Sequence, residues 1–370
     1  YNAYWFYGDT AIIGEHYASM EKYMDFQIGK SAATGYFYPE DSWRDANPAG
    51  GFGDWLSLTD RHLAHDILAS LYFAHSLGIM AEMSAAIGRE ARAAYYRDIR
   101  EKSMAAFIDH YVDEEGRFVI DETAYGDGQG YFEGERGFTG HTQSGYATAL
   151  YFDLLPDSLA QLAGGHLVDL VVAADTLPTS GILGIRQLLP ALSKIGRSDL
   201  AYAMLLSRRY PGWGFQIANG ATTIWERWNS YTQEAGFNGE MNAKMNSFNH
   251  YAFGAVGQWL FQQGLGIDAE GPGFEQIVIR PAPDPRVGSM SGEYQSVAGT
   301  IVSGWEYLDE ELKLTVTIPE GGNARIVLPP GTGDRVRVHG QRVRTERARG
   351  ERSIPLREGR HVILLDLTKD

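Results

Sequence analysis

The hydrophobic period changes at Gly271, and no single architecture accommodates both sides of that change. Before it, apolar residues recur at helical spacing, as in Ile12, Ile13, Tyr17, Met20, Tyr23 and Met24. That spacing predicts helices over 9–30, 62–87, 90–112, 143–154, 157–174, 185–195, 198–207 and 246–263, with Gly88 as the stop between the second and third. Short connections between these helices imply antiparallel neighbours, as in helical barrels. After Gly271, Pro272, Pro281, Pro283 and Pro285 mark a transition, and β-branched alternation takes over. Residues 277–279, 300–302, 312–318, 325–328, 336–338 and 361–365 read as strands, which argues for an all-β sandwich. The expectation is therefore a helical domain over 1–270 and a β-sandwich over 271–370.

Charge and aromatic content divide at the same point. The whole chain has a net charge of −15, yet residues 271–370 hold 14 Lys and Arg against 14 Asp and Glu, so the helical part carries all of the excess. An acidic field disfavours nucleic acid as a partner and suits a neutral, hydroxyl-rich ligand. The helical part also holds 41 of the 45 aromatic residues, which makes it the working domain if the ligand is a sugar. There is no cysteine, so disulfides and thiolate chemistry are excluded. No continuous run of about 18 apolar residues is present, and no membrane span is expected. The chain opens Tyr1-Asn2-Ala3-Tyr4 without a basic-then-apolar leader, and it reads as the interior of a longer protein. Nothing assigns a compartment or an oligomeric state.

The most informative stretch is 211–231. In it Glu226 is flanked by Trp225, Arg227 and Trp228, with Trp213 upstream. Aromatic rings can hold the apolar face of a sugar while a carboxylate takes a proton or orients a water. Arg227 would favour the ionised form, which suits a base; a structural ion pair beside core tryptophans accounts for the same residues. In Gly53-Asp54-Trp55-Leu56, Asp54 offers an acceptor beside a stacking surface, or caps a helix ahead of a buried Trp. His250, in Asn246-Ser247-Phe248-Asn249-His250-Tyr251, is either a sugar ligand or a satisfied core histidine. Asp45, Glu133 and Glu135 are weaker carboxylates in solvated loops. His62, His65, His141 and His166 lack companions for a metal site. Phosphate-binding, nucleophile-elbow and dinucleotide signatures are absent, and no cofactor is implied.

Thr222-Thr223-Ile224-Trp225-Glu226-Arg227-Trp228, followed by Met245-Asn246-Ser247-Phe248-Asn249-His250-Tyr251, closely resembles the α-L-rhamnosidases of glycoside hydrolase family 78. The likeness extends to Gly53–Leu56, to Leu188–Leu192, to Tyr210-Pro211 with Trp213, and to Gly254–Gly257 with Trp259. It implies an (α/α)6 catalytic barrel followed by a C-terminal β-sandwich. It also implies release of terminal α-L-rhamnose with inversion, with Glu226 as general base and with Trp55 and His250 contacting the sugar. The family's general acid lies in an acidic motif ahead of the helix matched by 9–30, and this sequence has no counterpart. Only about eight helices can be drawn where such a barrel needs twelve, so the chain reads as starting inside the barrel. Little hydrolysis is expected from it alone. A second reading is a sugar-binding module that keeps the stacking residues and lacks the acid; a third is a related helical-barrel hydrolase for another sugar. On the first reading Glu226, Trp55 and His250 converge at one cavity mouth.

Overall fold

The computed structural model describes residues 1–39, 53–125, 137–237, 246–348 and 350–367. Asp45, Glu133, Glu135 and Met245 lie outside the described residues. The chain divides into two compact units, one of residues 16–256 and one of residues 1–15 with 257–370.

The first unit is helical. Its helices are α2 (Ala11–Ser31, entering from the other unit), α3 (His65–Ala86), α4 (Glu90–Tyr111), α5 (Gln143–Tyr151), α6 (Asp157–Ala173), α7 (Ile185–Lys194), α8 (Ser198–Leu206) and α9 (Trp213–Ala218). α1 (Asn2–Tyr7) belongs to the other unit. A two-stranded parallel pair, β1 (His62–Leu63) with β2 (Phe138–Thr139), joins the loop ahead of α3 to the loop ahead of α5. Only three residues separate α3 from α4, and Gly88 takes φ 74° there, so the two helices fold back on each other. α4 buries a single stripe (Ala93, Tyr96, Ile99, Ser103, Met104, Phe107, Tyr111), as an amphipathic outer helix does. α3 is buried nearly all round, from His65 to Ser84. By length and composition α3 would pass for a membrane span, but it is a core helix of this unit.

One predicted helix is replaced. Residues 246–250 are not helical; a 3-10 turn starts at Ala252, and α10 covers only Val256–Trp259 before a π turn at Leu260–Gly264. The cause is non-local. Asn246 and Ser247 hydrogen-bond to Ser230 and Glu226 and do not cap a helix of their own.

The second unit is a nine-stranded sheet of β3 (Ile267–Glu270), β4 (Gln276–Ile279), β5 (Ser289–Ser296), β6 (Gly299–Tyr307), β7 (Glu311–Val327), β8 (Thr332–Val338), β9 (Gln341–Arg342), β10 (Glu346–Ala348) and β11 (Glu351–Leu367). The sheet thus begins slightly ahead of the change of period at Gly271. β7 and β11, 17 residues each, pair antiparallel along most of their length. Their register shifts between Arg357 and Gly359, where Gly359 has φ 112°. Leu312, Leu314, Val316 and Ile318 on β7 and Ile363 and Leu365 on β11 alternate inward and are buried with Ile301, Trp305 and Val336. A sheet that buries one face with little helix to cover it must turn that face upon itself, so one continuous sheet supplies the two layers of a sandwich. α1 adds to this unit, with Phe6 packed against Phe274 (centroids 6.2 Å apart).

His75 on α3 tests the packing of the helical unit. Its ring stacks on Phe152 with centroids 3.6 Å apart and planes 4° apart. Burial, and then Arg186 and Arg100, push its pKa down to about 4. An unfolded histidine titrates near 6.5, so the unfolded chain takes up the proton first. Stability therefore declines as pH falls from about 6.5 towards 4. His75→Phe keeps the stack and removes the titration. At pH 4.5 relative to pH 7, this variant should gain on the order of 1–2 kcal/mol over the parent, read from urea unfolding at the two values.

Candidate active site

The site is built from four loops of the helical unit. The first carries Asp54 and Trp55. The Asp54 carboxylate is 3% exposed and is surrounded by donors. It accepts the Ser144 hydroxyl and the backbone N–H groups of Gly181 (2.7 Å), Leu183 (3.0 Å) and Gly184 (2.8 Å). Ser144 lies in the first turn of α5, and Gly184 precedes α7, so one anion ties two helix starts to its own loop. Burial pushes the Asp54 pKa above the usual carboxylate value, and the four donors pull it back. The Trp55 carbonyl accepts from Ile182 N–H (2.8 Å), while its side chain remains 39% exposed.

The second loop, 179–184, needs glycine. A Cβ on Gly181 would stand 2.2 Å from the Trp55 carbonyl oxygen, and one on Gly184 would stand 2.3 Å from the Ser144 hydroxyl. The neighbouring Ser180 carbonyl accepts the Trp228 indole N–H (2.8 Å), which brings in the third loop. Trp228 is stacked on Phe253 (4.0 Å, 16°) and meets Trp213 edge-on (5.1 Å, 87°). Trp213 in turn donates to the Phe253 carbonyl (3.0 Å).

The third and fourth loops run side by side. Glu226 N–H donates to the Ser247 carbonyl (2.9 Å) and His250 N–H to the Ile224 carbonyl (2.8 Å). The Ser247 N–H donates to Glu226 Oε2 (2.7 Å), and Thr223 donates to the Phe248 carbonyl. Asn246 and Ser230 close the far end with two hydrogen bonds (2.7 and 3.3 Å). Glu226 is half-buried, and among the described residues its carboxylate is held at one oxygen. The Ala252 N–H approaches His250 Nδ1 at 3.4 Å; a neutral ring accepting there carries its proton on Nε2.

Glu226 and His250 therefore lie on two paired segments, and Trp55 is joined to them through Ile182, Ser180 and Trp228. Trp225 and Trp213 are 3% and 5% exposed, and their rings meet protein. Phe237 and Phe248 stand edge-on to Trp225 (73° and 88°). Arg227 is 3% exposed, with its N–H on the Ser230 hydroxyl and its carbonyl on the Gln216 amide. The 179–184 loop and Ser144 were missed in the sequence; the only signal was a Gly-rich run, Ser180-Gly181-Ile182-Leu183-Gly184, ahead of a helix. No group of three metal-binding side chains occurs among the described residues. His141 instead lies 2.7 Å from the Tyr146 hydroxyl.

Two family models match the chain. They are the bacterial α-L-rhamnosidase six-hairpin glycosidase domain over residues 1–263 and the bacterial α-L-rhamnosidase C-terminal domain over residues 266–343. An α-L-rhamnosidase of Streptomyces avermitilis is 36% identical over 81% of this chain and 27% of its own length. One from Formosa agariphila is 32% identical over 90% of this chain and 33% of its own length. The crystal structure of Streptomyces avermitilis α-L-rhamnosidase complexed with L-rhamnose superposes with a TM-score of 0.81 at 32% identity, covering 98% of this chain and 31% of that one. The α-L-rhamnosidase structure from Dictyoglumus thermophilum shares the fold, with a TM-score of 0.79 at 21% identity over 99% of this chain and 38% of that one. The chain thus spans about a third of the length of these relatives.

Asp54 clamps its own loop to the start of α5 and to the 179–184 loop. Asp54→Ala should cost about 3 kcal/mol or more, because several buried donors lose their acceptor at once. Gly181→Ala should also destabilise, by steric conflict with the Trp55 carbonyl. Urea unfolding followed by tryptophan fluorescence reads both, and an Asp54→Ala protein as stable as the parent would refute the clamp.

Proposed function

The chain belongs to the bacterial α-L-rhamnosidase family, and from that membership we propose that it takes part in inverting hydrolysis of terminal α-L-rhamnosides, with Glu226 as general base. The observation that carries this reading is the Glu226 carboxylate: half-buried, held among the described residues by one N–H at Oε2, and carried on a segment paired with the one that bears His250. A carboxylate so held is oriented yet keeps acceptor capacity for a water.

In this reading the sugar rests on the exposed Trp55 face, and His250 Nε2–H donates to a ring hydroxyl. Asp54 acts by fixing the loop that carries Trp55. The buried Trp213 and Trp225 support the Glu226 segment from beneath, in place of contacting the sugar. Glu226 removes a proton from a water as its oxygen attacks the anomeric carbon, and the glycosidic C–O bond breaks on the opposite face. A second carboxyl group, roughly 6.5–9.5 Å from the first, protonates the departing oxygen. On the family resemblance that acid belongs to a segment ahead of the one matched by α2.

The test is Glu226→Gln in a protein that includes the family's upstream segment. Folding should be retained, and hydrolysis of aryl rhamnosides should fall by about 10²–10⁴-fold. Good leaving groups should not restore the rate, since they replace the acid and leave the need for a base. Added azide should restore part of it and give a product of inverted configuration. Undiminished turnover would place the base elsewhere.

A further inference from the structure

Residues 331–370 carry ten Lys and Arg against six Asp and Glu, whereas the rest of the chain carries 22 against 41. The positive end of this acidic chain is almost wholly arginine, nine of the ten. The sheet places these side chains against one another. Arg337 on β8 stands directly opposite Arg342 on β9, and Arg347 on β10 directly opposite Arg352 on β11. Like charges in direct cross-strand register repel.

The carboxylates nearby do not balance them. Asp334 serves both Arg347 (3.5 Å) and Arg352 (3.1 Å). Asp366 is shared by Arg335 (3.5 Å) and Arg337 (3.8 Å), the latter also paired with Glu311. Among the described residues, no carboxylate is within ion-pair distance of Arg342 or Arg344, and both are exposed. Charges on an edge strand can serve merely to prevent edge-to-edge pairing, but lysine suffices for that. Arginines opposed in register cost stability, and their planar forks suit carboxylate or sulfate groups.

We propose that the β9–β10 edge, with Arg342, Arg344 and Arg347 flanked by Arg337, binds an anionic polysaccharide through carboxylate or sulfate groups; Arg352, bonded to Thr332, Gly333 and Asp334, holds the edge in place. The inference rests on the glycan-directed reading above for its choice of polymer. Glu346, Glu351 and Asp334 interrupt the strip, which disfavours the continuous phosphate track that nucleic acid requires.

Affinity electrophoresis tests it, in gels containing polygalacturonate, dextran sulfate or neutral dextran. The protein should be retarded in at least one anionic gel and not in dextran, and about 0.5 M salt should abolish the effect. The triple variant Arg342→Glu, Arg344→Glu, Arg347→Glu should bind about tenfold more weakly with a thermal midpoint no lower than the parent's, since it turns both opposed arginine pairs into opposite charges. The corresponding triple Lys variant, which keeps the charge and loses the fork, should fall between. Equal retardation of parent and Glu variant, or none in either anionic gel, would overturn the proposal. So would tighter binding to single-stranded DNA or to phosphatidylserine vesicles. Hydrolysis of a small aryl rhamnoside by the longer protein should not respond to the triple variant. Failure of the Glu226 experiment would strike the catalytic reading and leave polysaccharide retention standing.

Discussion

Two of the loops at the candidate site are organised around one buried carboxylate, Asp54. Taking a carboxylate out of water costs several kcal/mol unless donors replace the solvent. Asp54 recovers that cost from one hydroxyl and three backbone N–H groups, which come from two other stretches of chain. The requirement that each donor arrive is what couples the loops. A loop that left would strand a charge in a dry interior, so the cluster forms as a whole. The Ser180 carbonyl that receives Trp228 is fixed by the same arrangement, because Gly181, the next residue, donates to Asp54.

Close backbone approach is the second condition. Gly181 and Gly184 stand where any side chain would meet the Trp55 carbonyl or the Ser144 hydroxyl. Below them Trp228, Trp213 and Phe253 form a packed aromatic floor, with both indole N–H groups spent on backbone carbonyls. Aromatic rings bury large area and are stiff, so a floor of them positions what lies above it. Trp228 and Phe253 continue the two segments that carry Glu226 and His250, which are held together by main-chain hydrogen bonds in the manner of a short antiparallel ribbon.

The long helices were legible because α4 shows a clean stripe and α3 carries apolar residues on most of its faces, both of which local spacing reports. Parts of β4, β6, β7, β8 and β11 were legible for the same reason, with Leu312 to Ile318 alternating inward; β3, β5, β9 and β10 were not, and β7 read as two strands because residues 319–324 lack apolar alternation. Residues 246–250 were not. Asn and Ser ahead of apolar residues read as a helix cap, but their partners, Ser230 and Glu226, are 16 and 21 residues away. Asp54 was legible as a residue of interest and illegible in its role, since its donors lie 90 to 130 residues further on. The aromatic flanks of Glu226 drew attention correctly to the stretch, yet sequence cannot say which rings face inward. Trp213 and Trp225 face the protein, and Trp55 is the one that remains partly open.

The two carboxylates singled out at the start are separated by how many donors hold them. Asp54, buried and with four donors, cannot transfer a proton without disturbing three segments of chain. Glu226 has, among the described residues, one N–H at Oε2, and part of its surface is open. A general base must gain a proton and lose it again in every cycle, so its environment has to tolerate both states. A group fixed at a single point can do so at small cost; a group that organises its surroundings cannot. On that argument the clamp and the proposed base are different residues: Asp54 organises its surroundings, and Glu226 is the carboxylate whose surroundings tolerate gain and loss of a proton.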